Sequence, residues 1–162
     1  MHHYIFHLGS NIGDRKDNLL SAVRLMSEKI GSVVHQSSIY ETEPWGLKEQ
    51  PLFLNMAIEV TSKLSPHEVM AITKFIEAQL GRVKTEKWAE RRIDIDTVYC
   101  DDMIIKDDKI TLPHPELYNR NFVLIPLMEI AGDKLDPVKQ LTIDDLYLLS
   151  EDTCEVFLFE EE

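Results

Sequence analysis

The feature that most limits how this chain can fold is a switch of hydrophobic period. In FLNMAIEV, residues 53–60, Leu54, Met56, Ile58 and Val60 fall on one face, and Phe53, Asn55, Ala57 and Glu59 on the other. That period of two marks a strand. A helical period follows directly. Ser65 stands as N-cap, Pro66 takes the first helical position and Glu68 completes a capping box. Val69, Ile72, Ile76 and Leu80 form the apolar stripe, which Gly81 ends. Period two then returns over Ile93 to Tyr99, in the segment WAERRIDIDTVY.

The same exchange runs through the rest of the chain. A strand is predicted over Tyr4 to Leu8. A helix follows from about Asp14 to Ile30, with Leu19, Val23, Met26 and Ile30 on one face and Gly31 as its stop. SVVHQSSIYET predicts a second strand, and EPWGLKEQP, with two prolines and a glycine, a loop. DDMIIKDDKITLPHP has the form of a hairpin. NFVLIPLMEIAG predicts a short helix with Pro126 near its start, and TIDDLYLL another, capped by Thr142; Glu155 to Phe159 closes the chain as a strand. No repeat or interdomain linker interrupts this order. The expectation is one domain over residues 1–162: an α+β sandwich, its sheet mixed or mainly antiparallel, with helices packed on it.

With 44% hydrophobic and 28% charged residues, the composition is that of a soluble globular protein. A formal net charge of -12 argues against general binding of nucleic acid or anionic membranes, though a local basic patch can still hold phosphates. MHHYIFHLGSN lacks the pattern of a signal peptide, and no apolar run reaches the roughly 20 residues needed to cross a bilayer. A cytoplasmic protein is expected, with Cys100 and Cys154 reduced, since they lie far apart and form no CxxC.

Asp94 and Asp96 carry the chemistry. Residues i and i+2 of a strand share a face, with Cα atoms about 6.5–7 Å apart. Two carboxylates so placed repel unless a cation lies between them. One reading is a solvent-facing edge strand; the other is a Mg²⁺ clamp for substrate phosphates. Arg82, Lys84, Lys87, Arg91 and Arg92 cluster just upstream, with Trp88 among them. Guanidinium forks bind phosphate oxygens in pairs and lysine adds point charge. Acids, bases and an aromatic together suit a Mg-nucleotide site. No GxxxxGK[ST], HRD or DFG occurs, so nucleotide handling would need a different fold from the P-loop and protein-kinase ones.

These residues resemble a known family. W-x-x-R-x-[hydrophobic]-D-[hydrophobic]-D, here Trp88 to Asp96, is similar to the signature of the 6-hydroxymethyl-7,8-dihydropterin pyrophosphokinases. GSN after the first strand, YETEPWGLKEQPLFLN (Tyr40 to Asn55), IEAQLGR (Ile76 to Arg82) and LPHPELYNRNFVLIPLMEIA match further blocks in order. The resemblance implies a ferredoxin-like α+β sandwich. It also implies a reaction in which the pterin hydroxymethyl oxygen attacks the β-phosphorus of ATP and AMP leaves, with two Mg²⁺ held by Asp94 and Asp96.

Carried over residue by residue, it implies that Arg82 and Arg91 contact the transferring phosphates. Glu77, Lys84, Trp88, Thr111, His114 and Arg120 would lie by the nucleotide, with either Lys84 or Lys87 as the loop's phosphate contact. The pterin would stack between Phe53 and Phe122, beside Asp94. Asn55 would bond its edge, and the backbone from Thr42 through Pro44 and Trp45 to Gly46 would help. The chain departs from the family at Ala89-Glu90, where Gly-Pro is usual; this bears on loop stiffness and ATP affinity. A monomer is expected, with ATP and the pterin as its small-molecule partners. Two rivals stay open on residues alone: another Mg-dependent phosphotransferase on the same fold, and a ferredoxin-like binding module with no need of both aspartates.

Overall fold

A computed structural model describes residues 1–43, 51–81 and 92–160. Eight strands and four helices follow one another as β1 (His2–Ser10), α1 (Arg15–Lys29), β2 (Ser32–Gln36), β3 (Tyr40–Thr42), β4 (Phe53–Ser62), α2 (Pro66–Gln79), β5 (Asp94–Cys100), β6 (Ile105–Lys106), β7 (Thr111–Leu112), α3 (Asn121–Ala131), α4 (Ile143–Leu148) and β8 (Val156–Leu158). A six-stranded sheet runs in the order β5-β1-β4-β3-β8, with β2 also on β4; all of its pairings are antiparallel. β6 and β7 make the expected small hairpin.

Two cores lie on opposite faces of this sheet. On one, Leu54, Met56, Ile58 and Val60 of β4 pack with Leu19, Ala22 and Met26 of α1 and Val69 and Ile76 of α2. On the other, Ile5 and Ala57 pack with Leu124 and Leu127 of α3 and Ile143 and Leu146 of α4. The face assignments predicted for β4 are therefore those observed. Each fully buried Leu or Ile contributes about 1.5–3 kcal/mol, so the alternation alone decides which way the strand faces. The helix starts also follow the sequence. Ser65 Oγ accepts the Glu68 amide proton, and the Glu68 carboxylate accepts that of Ser65. Asp14 and Thr142 cap α1 and α4 by accepting the amide protons of Asp17 and Asp145, without the return bond.

Two expectations need correction. SVVHQSSIYET is two strands, not one. Ser37 bonds Ala57 through both its amide and its hydroxyl, and the Ser38 N–H turns away to Glu129 of α3 at 2.9 Å. The chain thus leaves the β4 ladder between Gln36 and Tyr40. Pro126 is not near the start of its helix but in the interior of α3. Gly31 follows the end of α1 as predicted, without a positive φ; a side chain there would overlap the Thr61 carbonyl, so close backbone approach demands the glycine. Gly81, by contrast, has φ +88° and ends α2 as predicted.

Candidate functional site

The site is built on one end of three neighbouring strands, β4, β1 and β5. Register places Asn55, Gly9 and Asp94 in one row across β4, β1 and β5, and Ala57, His7 and Asp96 in the next. All of these point to the α3 side. The sheet thus carries Asp94 and Asp96 side by side on one face, as the spacing predicted. Ile93 and Ile95 are buried behind them, 0% and 4% exposed. That burial contributes about 1.5–3 kcal/mol per isoleucine, enough to offset like-charge repulsion between two half-exposed carboxylates.

Among the described residues β5 is an edge strand, so alternate N–H groups have no ladder partner there. The Ile95 amide donates instead to Glu77 Oε2 of α2 at 2.8 Å. Glu77 is 2% exposed. The resemblance placed it by the nucleotide; here one of its oxygens braces the strand between the two aspartates. β5 also has one residue more than β1 at a bulge around Val98. The Val98 carbonyl accepts the His114 amide proton at 3.0 Å, which fixes His114 after the cis Leu112–Pro113 bond.

His114 Nδ1 accepts the Glu116 amide proton at 3.1 Å, so its proton sits on Nε2, 3.9 Å from Asp96 Oδ1. Burial holds its pKa below the usual histidine range, and the Arg120 charge adds to this against the pull of Glu116 and Asp94. Arg120 is mostly buried, pairs loosely with Glu116 at 3.5 Å and stacks over the Phe122 ring at 5.7 Å.

Two clefts meet at Asp96 and His114. The smaller, about 30 Å³, is lined by His7, Asp96, His114, Arg120 and Phe122. The larger, about 250 Å³, runs over the other side of Asp96 between α2 and the hairpin, along Met70, Thr73, Lys74, Lys109 and Thr111. Beside the first cleft, Gly9 lies against Asn55 and Phe53; a Cβ there would be 3.4 Å from Asn55 Oδ1 and 3.7 Å from the Phe53 ring. Asn55 is 1% exposed and donates from Nδ2 to Thr42 Oγ1 at 2.8 Å. The GSN motif braces this end: Asn11 Nδ2 donates to the Pro51 carbonyl, and Arg15 ties Glu41 and the Leu52 carbonyl.

Of the residues expected at the site, Thr42, Phe53, Asn55, Asp94, Asp96, Thr111, His114, Arg120 and Phe122 are brought to these two clefts or their borders. Pro44, Trp45, Gly46, Arg82, Lys84, Lys87, Trp88 and Arg91 lie outside the described residues. Sequence reasoning missed His7, the place of Gly9 beside Asn55 and Phe53, and the Met70, Thr73, Lys74 and Lys109 lining. A signal existed for some: Thr73 and Lys74 stand four and three residues before Glu77, on the same side of a helix. His7 showed only as a polar residue inside an apolar strand.

As oxygen donors on one strand face, Asp94 and Asp96 fit a hard divalent cation that takes its remaining ligands from phosphate and water. One other His/Cys/Asp grouping occurs among the described residues, His2, Cys100 and Asp101. It sits at the far end of β1, and His2 Nδ1 is already bonded to Asp101 Oδ2 at 2.8 Å. No helix of the described residues is long and apolar enough to cross a membrane.

Comparison with known proteins shows the family and the fold. The profile of the 7,8-dihydro-6-hydroxymethylpterin-pyrophosphokinase family matches residues 5–132. A 2-amino-4-hydroxy-6-hydroxymethyldihydropteridine pyrophosphokinase of Bacillus subtilis is 44% identical over 125 residues, 76% of this chain and 75% of that protein. One from Methylorubrum extorquens is 42% identical over 127 residues, covering 78% and 80%. A mitochondrial folate synthesis bifunctional protein of Arabidopsis thaliana is 39% identical over 135 residues, and the match spans 83% of this chain but only 24% of that longer protein. The fold is that of solved HPPK-DHPS chains: one from Plasmodium falciparum superposes with TM-score 0.74 at 16% identity, over 91% of this chain and 41% of its own. The chain belongs to the 7,8-dihydro-6-hydroxymethylpterin-pyrophosphokinase family.

Proposed function

We propose that this chain transfers a pyrophosphoryl group from ATP to the hydroxymethyl group of 6-hydroxymethyl-7,8-dihydropterin, giving the pterin diphosphate and AMP. One observation carries the reading: Asp96 and His114 form a wall common to two clefts, one edged by Phe122 and one by lysines and threonines. A reaction that joins a flat heterocycle to a polyphosphate needs that arrangement, with the charged groups at the seam.

The pterin lies over Gly9 against Phe122, with Phe53 on its other side and Asn55 at its rim. A flat ring gains from π-faces and a few fixed hydrogen bonds. ATP occupies the larger cleft, its base toward Met70 and Thr111 and its phosphates toward Asp96 and His114. The Nε2–H of His114 faces the phosphates as a donor. Two Mg²⁺ held by Asp94 and Asp96 would neutralise triphosphate charge and lower the pKa of the attacking hydroxyl. Arg82 and Arg91 hold their family positions in the sequence and clamp the moving phosphates, with Lys84 and Trp88 beside them. Glu77 keeps β5 in place beneath the aspartates. A single chain lines both clefts, and the protein works as a monomer.

The test is AMP release from MgATP in the presence and absence of the pterin. Pterin-dependent AMP formation is expected. Absence of AMP above background would overturn the reading; ATP turnover indifferent to the pterin would point to another phosphotransferase on this fold.

A further inference from the structure

His7 stands in the middle of the sheet with its ring in the smaller cleft, and no step above uses it. It is 4% exposed and lies on β1 between Ala57 and Asp96. Its Nε2 is 3.1 Å from the Phe122 carbonyl. A carbonyl only accepts, so the ring carries its proton on Nε2 and its lone pair on Nδ1. Pro126, four residues further along α3, has no N–H to offer that carbonyl. His7 supplies a donor from across the sheet–helix interface. Its ring also meets the Phe122 ring edge-on, with centroids 5.7 Å apart and planes at 63°. One side chain of the sheet thus touches both the backbone and the ring of the residue that walls the cleft. Burial keeps the imidazole neutral, pushing its pKa down to about 4; the bonds to Phe122 and Asn55 pull the other way, and the proximity of His114 and of the Arg120 charge lowers it further.

We propose that His7 is a positioning residue for the acceptor substrate: its Nε2–H bond to the Phe122 carbonyl sets the aromatic wall against which the heterocycle stacks. The inference rests on the pterin reading given above. It predicts a one-sided effect, because His7 lines the smaller cleft and not the larger one. Disturbing it weakens the heterocycle's binding and leaves the nucleotide's alone.

Two variants test this. His7→Leu keeps bulk and removes the donor; His7→Gln carries an N–H that can reach the same carbonyl. Affinity for 6-hydroxymethylpterin is measured with Mg²⁺ and a non-hydrolysable ATP analogue, and KM for each substrate by AMP release. His7→Leu is expected to weaken pterin binding about tenfold, the scale of one lost hydrogen bond. Its KM for ATP should stay within about twofold, and His7→Gln should recover most of the loss. Unchanged pterin affinity in His7→Leu, equal loss for both substrates, or His7→Gln no better than His7→Leu would each overturn the proposal. ¹⁵N shifts of the His7 ring in the unmodified protein give a check that needs no variant to fold. A proton on Nε2 is expected, and one on Nδ1 would sink the idea. An unmodified protein that neither binds the pterin nor releases AMP would defeat the underlying pterin reading. One that does both leaves His7 alone at stake.

Discussion

Glu77 Oε2 accepts the amide proton of Ile95 at 2.8 Å, at the one residue that separates Asp94 from Asp96. A helix carboxylate thereby gives one edge-strand N–H its partner directly beneath the proposed metal ligands. Removing that acceptor leaves a buried N–H unmet, which costs about 1–3 kcal/mol. Glu77→Ala should therefore lower thermal stability and turnover together, whereas Glu77→Gln, which keeps an oxygen in place, should retain most of the stability. Thermal melts beside AMP-release rates check both.

Asp94 and Asp96 should behave in the opposite way. Both are partly exposed, and their backbone is anchored by Ile93 and Ile95. Asp94→Ala and Asp96→Ala should each cut turnover by at least about 10²-fold, the scale set by losing one preorganised electrostatic contact. Stability should hold or rise slightly as like-charge repulsion is relieved. Near-normal turnover in either variant would remove that residue from the metal site. Chelation by EDTA should stop AMP release in the unmodified protein, and added Mg²⁺ should restore it.

Phe122 presents its ring between Arg120 and His7. Stacking on an aromatic face contributes about 0.5–1.5 kcal/mol beyond the area it buries. Phe122→Ala should raise KM for the pterin roughly tenfold and leave KM for ATP nearly unchanged. Parallel steady-state titrations of the two substrates distinguish this from a general loss of structure.

Away from the site, Tyr99 and Tyr118 both donate to Asp136 Oδ2, at 2.6 and 2.8 Å, while the Val138 and Lys139 amides donate to its Oδ1. Burial raises both phenol pKa values well above 10, and the Asp136 carboxylate raises them further. A group whose folded pKa exceeds its unfolded value contributes stability that is complete below the unfolded value and is lost above it. Stability should therefore fall once pH passes about 10, the unfolded tyrosine value. Denaturant melts of the unmodified protein and Tyr99→Phe between pH 8 and 11 check this; the variant should show the shallower alkaline decline.

Gly31 gives a packing test. Its Cβ would overlap the Thr61 carbonyl, and backbone cannot yield as a flexible side chain can. Gly31→Ala should destabilise the fold by about 1–3 kcal/mol, read as a lower denaturation midpoint, with AMP-release activity intact in the folded fraction.

Much of this molecule was legible in its sequence, and local physics explains which parts. Alternation set the faces of β4 and β5, because a period of two sends successive side chains to opposite faces, and the larger apolar set goes to the α1 and α2 side. Ser65, Pro66 and Glu68 set the start of α2, because a cap acts within its own four residues. The Asp94–Asp96 pair was visible for the same reason: i and i+2 share a face in any strand. The ordered motifs pointed to the family, since their spacing is a property of the chain itself.

Other features were decided only when distant segments met. The break between β2 and β3 depends on Glu129 reaching Ser38 from a helix far along the chain. Glu77 became a strand brace because β5 lies at the sheet edge with α2 packed against it. His7 acquired a partner because Pro126 withholds an N–H from Phe122 and the sheet register aims the imidazole there. The two clefts share Asp96 because β1 places β5 between α3 and the hairpin. Periodicity and caps act over a few residues and can be read along the chain. Register, edges and shared walls are relations between segments, and only tertiary packing brings those segments together.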